Sequence, residues 1–170
     1  KLFLEQKGFK FEAVVIDGRR GLFGVFRDIP TQMCHFHQGL IVKRYLTSRP
    51  KLEAAIELRA IDLTLTRSNE KIFTDLLNAW HAKWELFLKE RTYSLDGKHW
   101  QHTHKKVCSA YRSLKTNLPY LFTYQKYPHL NIPNTTNSLD GFFNRLKSLL
   151  NNHRGLTSKR RLKLIREILF

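Results

Sequence analysis

The sequence predicts a mixed α/β fold, in which part of a parallel sheet is joined to a large all-helical insertion. Two observations predict this class. Two short apolar runs of strand length alternate with helical patterns near the start of the chain, and a long stretch of helical periodicity follows them. We predict three parts: the second half of a sheet core over 1–47, an all-helical insertion over 48–127, and closing core helices over 128–170.

The first part begins with the end of a helix, which Gly8 terminates. Four elements follow: a buried strand over Phe11–Ile16, a short helix over Leu22–Asp28, a strand over Thr31–Phe36 and a helix over His37–Leu46. Strands that alternate with helices pair in parallel through crossovers. Because two strands are fewer than a stable sheet needs, we expect further strands upstream of Lys1 or from another chain.

The central part shows apolar residues at spacings of three and four, which is typical of helices packed on a core. The predicted helices cover Leu52–Leu65, Glu70–Glu90 and His102–Leu118, the last of them ending before Pro119. A turn is predicted at Asp96-Gly97. No run in this part is typical of a strand.

The closing part starts with an extended linker over 128–133 and a run of N-cap residues over 134–138. With Asn137 as N-cap, a helix is predicted from Leu139 to Asn152, and Gly155 terminates it. A last, basic helix capped by Thr157 or Ser158 is predicted to continue to Phe170.

Charge is the strongest functional signal in the composition. Thirty Lys and Arg against fourteen Asp and Glu give a formal net charge of +16. A basic chain of this kind is typical of nucleic-acid binding, since phosphates attract dispersed cations. No apolar run is long enough to span a membrane, so a membrane partner is not expected. The two cysteines, Cys34 and Cys108, do not form a disulfide framework, which favours a reduced, cytoplasmic setting.

Asp17 is the first candidate for chemistry, because it follows a predicted strand directly and precedes Gly18. Ligands of open α/β sheets gather at the carboxyl ends of strands, where a carboxylate can bind a hard cation such as Mg²⁺. An Asp-Gly pair is equally typical of a plain turn. The residues alone leave both interpretations open.

Asp140 is the second candidate, in the first turn of the predicted helix from Leu139. Asn144 and Lys147 follow on the same polar face, so that a carboxylate, an amide and a cation stand in a row. Such a row can bind a metal ion and a phosphate. A carboxylate that caps a helix on a solvated face explains the pattern as well.

Two further clusters have both a functional and a structural interpretation. Cys34 and His37 form a C-x-x-H pair, which His99, His102, His104 or Cys108 could complete as a zinc site; buried packing is the alternative. The basic cluster of Lys159, Arg160 and Arg161 can bind phosphates or can form an ordinary basic helix face.

Two blocks of the sequence carry a resemblance to a known family. They are VVIDGRRGLFGVFRDIPTQMCHFHQGLIVKRYLT and NTTNSLDGFFNRLKSLLNNHRGL. Their motifs, spacing and order resemble the central and closing blocks of Mutator-like bacterial insertion-sequence transposases. The resemblance implies a ribonuclease H-like core, here partial, and a DDE-type acidic triad that binds two Mg²⁺ or Mn²⁺ ions. Asp17 falls on the second acid, and Asp140 falls where the family has glutamate.

The resemblance implies metal-dependent cleavage and strand transfer of double-stranded transposon and target DNA by a homo-oligomer at the bacterial nucleoid. The first acid should lie upstream of Lys1, so this chain alone is expected to be inactive. The residues expected to hold DNA are Arg19, Arg20, Asn137, Asn144, Arg145, Lys147, Lys159, Arg160 and Arg161. The alternatives are a catalytically inactive DNA-binding or assembly remnant of a transposase and, more distantly, a zinc-stabilised module built on Cys34 and His37.

Overall fold

The computed structural model describes residues 1–169, with the side chain of Leu169 left out, and it is a mixed α/β fold that is mostly helical. Two compact units make up the chain: Lys1–Thr135, and the segment from Thr136 onward. Phe170, the predicted end of the last helix, lies outside the described residues.

Two short strands form a parallel sheet in the first unit. Strand β1, Val14–Ile16, pairs with β2, Thr31–Met33, so that Ile16 lies beside Met33. The predicted parallel pairing is confirmed. Both strands are shorter than predicted, and the second ends early because Cys34 is already the N-cap of the following helix. The described residues hold one further strand pair, described below, so a ribonuclease H-like core stays a prediction.

Helices account for most of the remaining residues. In chain order they are α1 Leu2–Glu5, α2 Arg20–Val25, α3 His35–Leu46, α4 Glu53–Thr64, α5 Glu70–Lys89, α6 Lys105–Leu121, α7 Thr123–Lys126, a 3₁₀ turn at Pro128–Leu130, α8 Asn137–Asn152 and α9 Ser158–Leu169. The long helices agree with the predicted ones to within a few residues, because their apolar residues recur at helical spacing.

The core of the first unit lies between α3, α4, α5 and α6. Leu58, Phe73 and Leu114 are fully buried there. The indole nitrogen of Trp80 donates to the carbonyl of Ala54 at 3.0 Å, which satisfies the one polar atom of a large buried ring. Met33 of β2 belongs to the same core cluster. The predicted insertion therefore shares one core with the residues of the sheet.

Helix α6 does not end before Pro119, as the sequence predicts, but continues through it to Leu121. A proline inside a helix removes a hydrogen bond and normally breaks the helix. Here the carbonyl of Leu121 accepts from Gln32 Nε2 at 2.8 Å and from His35 Nε2 at 2.6 Å. Leu121 and Phe122 are also fully buried. These tertiary contacts hold the turn after Pro119 in place.

The prediction that residues 48–127 are wholly helical is wrong at one point. Strand β3, Arg91–Tyr93, pairs antiparallel with β4, Trp100–His102, around the predicted turn, where Gly97 has φ +69°. The guanidinium of Arg91 lies 4.0 Å from the centre of the Trp100 ring. Because this hairpin is exposed, it lacks the alternation of apolar and polar residues that identifies a half-buried strand.

One carboxylate is buried in the core region. The side chain of Asp62, on α4, is only 1% exposed and accepts a hydrogen bond from Arg59 one turn earlier. Its Oδ1 has no hydrogen-bond partner among the described residues. Burial raises the pKa of Asp62 to about 6, and the Arg59 guanidinium only partly opposes that rise.

This raised pKa predicts that Asp62 makes folding less favourable at neutral pH. Its contribution to stability is complete below the pKa of the unfolded chain, near 3.8, and is lost as the pH rises through about 6. The loss is on the order of 3 kcal/mol at most. We expect Asp62→Asn to flatten the pH dependence of the free energy of unfolding, measured by urea denaturation at pH 4.5 and 7.5. The exposed Asp75→Asn is the control, and equal pH dependence in both variants would refute the prediction.

Candidate functional site at the strand ends

The carboxyl ends of β1 and β2 lie at the same edge of the sheet because the strands are parallel. Asp17 directly follows β1, as the sequence predicts, and Cys34 directly follows β2. The backbone N–H of Cys34 donates to the carbonyl of Ile16 at 2.9 Å, which extends the pairing to the residue before Asp17. The fold thus places Asp17 at the edge where ligands of α/β sheets gather.

The turn after Asp17 requires glycine. Gly18 has φ +88°, and a Cβ on it would lie 2.6 Å from Cε of the buried Met33. Arg19, the next residue, closes the turn onto the acid: its backbone N–H donates to Asp17 Oδ1 at 3.2 Å, and its Nε lies 3.1 Å from Oδ2. The Asp17 side chain is still about one-third exposed. The carboxylate is held in place but open to solvent.

The Asp17 carboxylate is suited to provide one ligand to a divalent cation. Its oxygens are the ligand type that Mg²⁺ prefers. Residues 1–169 contain no group of three His, Cys, Asp or Glu side chains close enough to bind one metal ion. Asp17 lies in the first compact unit, whereas Asp140 lies in the second. Within residues 1–169, the Asp17 carboxylate thus stands without the further side-chain ligands of these types that a complete metal site requires.

A cleft of about 510 Å³ opens beside this turn, between α2, α3 and α6 of the first unit. Its lining combines two arginines with hydroxyl, amide and aromatic groups, and it includes no acid. The lining residues are Gly18, Arg20, Phe23, Ile41, Tyr45, Ser109, Arg112, Ser113, Thr116, Asn117 and Tyr120. A cleft with two positive charges and no negative one favours an anionic ligand.

A buried amide orders the polar wall of this cleft. Gln38, on α3, is fully buried. Its Oε1 accepts from Asn117 Nδ2 at 2.7 Å, and its Nε2 donates to Ser113 Oγ at 3.2 Å. Because both partners lie on α6, this network fixes the polar face of α6 toward α3. The hydroxyl and amide groups of the cleft are therefore positioned before any ligand arrives.

The C-x-x-H pair is part of the packing next to the site. Cys34 is fully buried as the N-cap of α3, and His37 is half-buried one turn later. The four residues that could complete a zinc site do not join them. Cys108 Sγ and His102 Nδ1 both hydrogen-bond to the carbonyl of Leu88.

His35, which the sequence analysis does not single out, is the fully enclosed histidine of this region. Burial lowers its pKa, so the ring is neutral, and its Nε2–H donates to the carbonyl of Leu121. It lies edge-on to the rings of Phe122 and Tyr124. His35 therefore joins the end of α6 to the start of α3 and does not act as a charged group.

In the second unit, Asp140 belongs to the first turn of α8. Thr136, and not Asn137, is the N-cap, and the helix begins at Asn137. The correction has a physical reason: Asp140 donates its backbone N–H to the carbonyl of Thr136 at 2.9 Å, which closes the first helical turn one residue earlier. The Thr136 hydroxyl in return donates to Asp140 Oδ2 at 2.9 Å. The carboxylate thus has a structural partner inside its own helix.

The other predicted DNA-binding residues of this unit are exposed. Asn137, Asn144, Arg145 and Lys147 line α8, and the basic cluster 159–161 lies in the first turn of α9. The backbone N–H of Arg160 lies 3.5 Å from Thr157 Oγ1, which agrees with the predicted cap. Within residues 1–169, none of these cations has an acidic partner, so their charges are available to phosphates.

No sequence motif marks the arginine and the polar residues that α6 contributes to the cleft. Ser109, Ser113 and Thr116 recur at helical spacing, and this pattern is also that of an ordinary solvated helix face. Arg112 carries no motif of its own. Only the packing of α6 against α3 shows that this face borders a cleft.

Comparison with known protein families, with curated proteins and with solved structures found no match for this chain. Among residues 1–169, no helix has both the length and the apolarity that crossing a membrane demands.

Proposed function

We propose that this chain is part of the catalytic domain of a DDE-type DNA transposase and that it binds double-stranded DNA in the bacterial cytoplasm. The observation that carries the proposal is the position of Asp17. It directly follows a parallel strand, beside an acid-free cleft that contains Arg20 and Arg112, in a chain of net charge +16. This combination suits a phosphodiester that approaches a carboxylate at a strand end.

The proposed roles follow the positions of the residues. Asp17 and Asp140 are the proposed ligands of divalent ions, and a bound pair of Mg²⁺ or Mn²⁺ would supply Lewis-acid activation of the attacking hydroxyl and stabilisation of the leaving oxygen. Arg19 keeps the Asp17 carboxylate oriented. The cations of α8 and α9 hold the DNA backbone without reading its sequence.

A separate observation supports an alternative function. Both candidate acids already have structural partners, Arg19 for Asp17 and Thr136 for Asp140. Carboxylates with these partners are also what an inactive remnant would retain. A DNA-binding or assembly protein without chemistry is therefore the alternative, and it predicts DNA binding with no nicking at any divalent-ion concentration.

The DNA-binding part of both functions is tested by the salt dependence of affinity for a 30-base-pair duplex, measured by fluorescence anisotropy. Each phosphate contact contributes about −0.9 to the slope of log K against log salt. We expect glutamines at Lys159, Arg160 and Arg161 to make the slope less steep by up to about three units. The control carries the same loss of charge at the exposed Arg44, Lys51 and Arg67.

The result that contradicts the assignment of the basic cluster is an equal change of slope in both triple variants. If the unmodified chain fails to bind duplex even at 20 mM salt, where electrostatic binding is strongest, both proposed functions are wrong.

A further inference from the structure

The cleft beside Asp17 has a chemistry that the proposed backbone contacts of α8 and α9 do not explain. Arg20 and Arg112 both line it, and neither forms an ion pair with any acid in residues 1–169. Both residues are exposed. Two guanidinium groups without carboxylate partners form a site for a planar or tetrahedral oxyanion, and phosphate is the oxyanion that a DNA-binding chain meets.

The walls of the cleft provide more than charge. Phe23 and Tyr120 lie with their ring centres 4.4 Å apart, and Tyr45 also faces the space. Ser113 and Asn117 are held in place by the buried Gln38. Aromatic faces beside ordered hydrogen-bonding groups are the features with which proteins bind an unstacked base. The cleft thus combines groups that suit a phosphate with groups that suit a base.

The size of the cleft limits what can enter it. About 510 Å³ is the volume of a site for one small ligand. A duplex contacts proteins over a broad surface, commonly of 1,000 Å² or more, so it does not enter a cleft of this volume. A single nucleotide that has left its base pair is small enough to enter the cleft. Gly18 lines the cleft and is adjacent in the chain to Asp17, so the phosphate of that nucleotide would lie next to the carboxylate.

We propose that this cleft holds one unpaired nucleotide of a DNA strand, with its phosphate on Arg20 and Arg112 and its base against the aromatic wall. The inference rests on the proposed function and deepens it, because it assigns the step at which a DNA end is unpaired beside Asp17. The same chain would then bind duplex through α8 and α9 and a single unpaired nucleotide through the cleft.

The test compares single-stranded decathymidylate, a duplex of the same length and an abasic decamer as probes for the unmodified chain and three variants. Arg20→Gln and Arg112→Gln each remove one guanidinium of the cleft, and Arg67→Gln is the matched control, exposed and outside the cleft. Loss of one phosphate contact on a single strand corresponds to about fivefold weaker binding at 0.1 M salt. We expect this loss for both cleft variants with decathymidylate and little change for Arg67→Gln.

Two further comparisons identify the ligand. The abasic decamer is expected to bind the unmodified chain at least about fivefold more weakly than decathymidylate, since stacking of the base is lost. Duplex binding is expected to change equally in Arg112→Gln and in Arg67→Gln, because Arg112 lines the cleft and is not among the residues expected to hold duplex. Melting temperatures of the three variants, measured in parallel, show that they fold alike.

The inference is overturned if the cleft variants bind decathymidylate as tightly as the control variant does, or if the abasic decamer binds as tightly as decathymidylate. It is also overturned if inorganic pyrophosphate displaces decathymidylate at equal concentration. These failures differ from failure of the proposed function, because duplex binding by the unmodified chain persists in all of them.

Discussion

Replacing Asp17 by asparagine is expected to lower divalent-ion-dependent nicking of supercoiled DNA by at least about a hundredfold, because loss of a direct metal ligand exceeds the 10- to 100-fold effect of outer-shell groups. The measurement uses a form of the protein that carries all three acids that the resemblance predicts. The asparagine amide oxygen can still accept from the backbone N–H of Arg19, so the fold of the turn is preserved. The loss then reports on chemistry and not on stability.

DNA affinity, measured in the same experiment, separates a loss of chemistry from a loss of DNA binding. Asp17→Asn adds one to the net charge of +16, so duplex binding should be unchanged or slightly tighter. The matched control is Asp28→Asn, an acid that is 75% exposed and weakly paired with Arg27 at 3.9 Å. Equal nicking by the Asp17 and Asp28 variants contradicts a catalytic role for Asp17. Absence of nicking in the unmodified protein favours the inactive remnant.

Replacing Asp140 by glutamate tests whether this carboxylate is a metal ligand. The family that the chain resembles has glutamate here, which is one methylene longer. Asp140→Glu is expected to retain or raise nicking if the carboxylate binds a metal ion. Asp140→Asn is expected to remove it. If the only role of Asp140 is to accept from the Thr136 hydroxyl, all three forms nick DNA equally and differ only by a few tenths of a kcal/mol in stability.

Much of the local structure was predictable from the sequence, because its signals are local. The apolar run before Asp17 predicts β1 and places the acid at a strand end, and helical spacing predicts α4 and α5 closely. The N-cap Asn69, which accepts from the backbone N–H of Ile72 at 2.9 Å, stands directly before the start of α5.

The features that could not be predicted depend on contacts between distant residues. Helix α6 passes Pro119 because Gln32 and His35, more than eighty positions away, bond to the carbonyl of Leu121. The β3–β4 hairpin has no buried face, so its sequence carries no alternation. The cleft arises from the packing of α3 on α6, and the polar residues that α6 contributes to it form no motif by themselves. The place of Arg112 in the lining of the cleft is therefore visible only in the fold.

Replacing Gly18 by alanine is expected to lower the free energy of unfolding by about 3 kcal/mol, which combines backbone strain at positive φ with overpacking of the core. Gly18 has φ +88°, and the added Cβ would lie 2.6 Å from Cε and 2.9 Å from Sδ of Met33. Met33 is fully buried in the core of the first unit, so its side chain has little room to move away. Chemical denaturation of the purified chain measures the difference.

Gly8→Ala separates the backbone strain from the overpacking against Met33. Gly8 has a similar φ of +85°, but no atom lies within 4 Å of the position of its Cβ. Its substitution should therefore show the backbone strain alone, about 1 kcal/mol. Adding Gly18→Ala to a Met33→Ala background should also cost only about 1 kcal/mol, because the vacated space accepts the new methyl group. Gly18→Ala and Gly8→Ala with equal effects would show that Met33 does not restrict the turn.

The same close approach links stability to the proposed site. Gly18 lets the chain turn tightly over Met33, and Gly18 both follows Asp17 directly and lines the cleft. A methyl group at Gly18 must displace either the turn or Met33. If it displaces the turn, decathymidylate affinity falls together with stability, whereas a shift of Met33 alone leaves that affinity intact. Measuring stability and decathymidylate affinity on Gly18→Ala therefore tells whether the turn or Met33 is more rigid. It also tells whether the core of the first unit sets the geometry around Asp17.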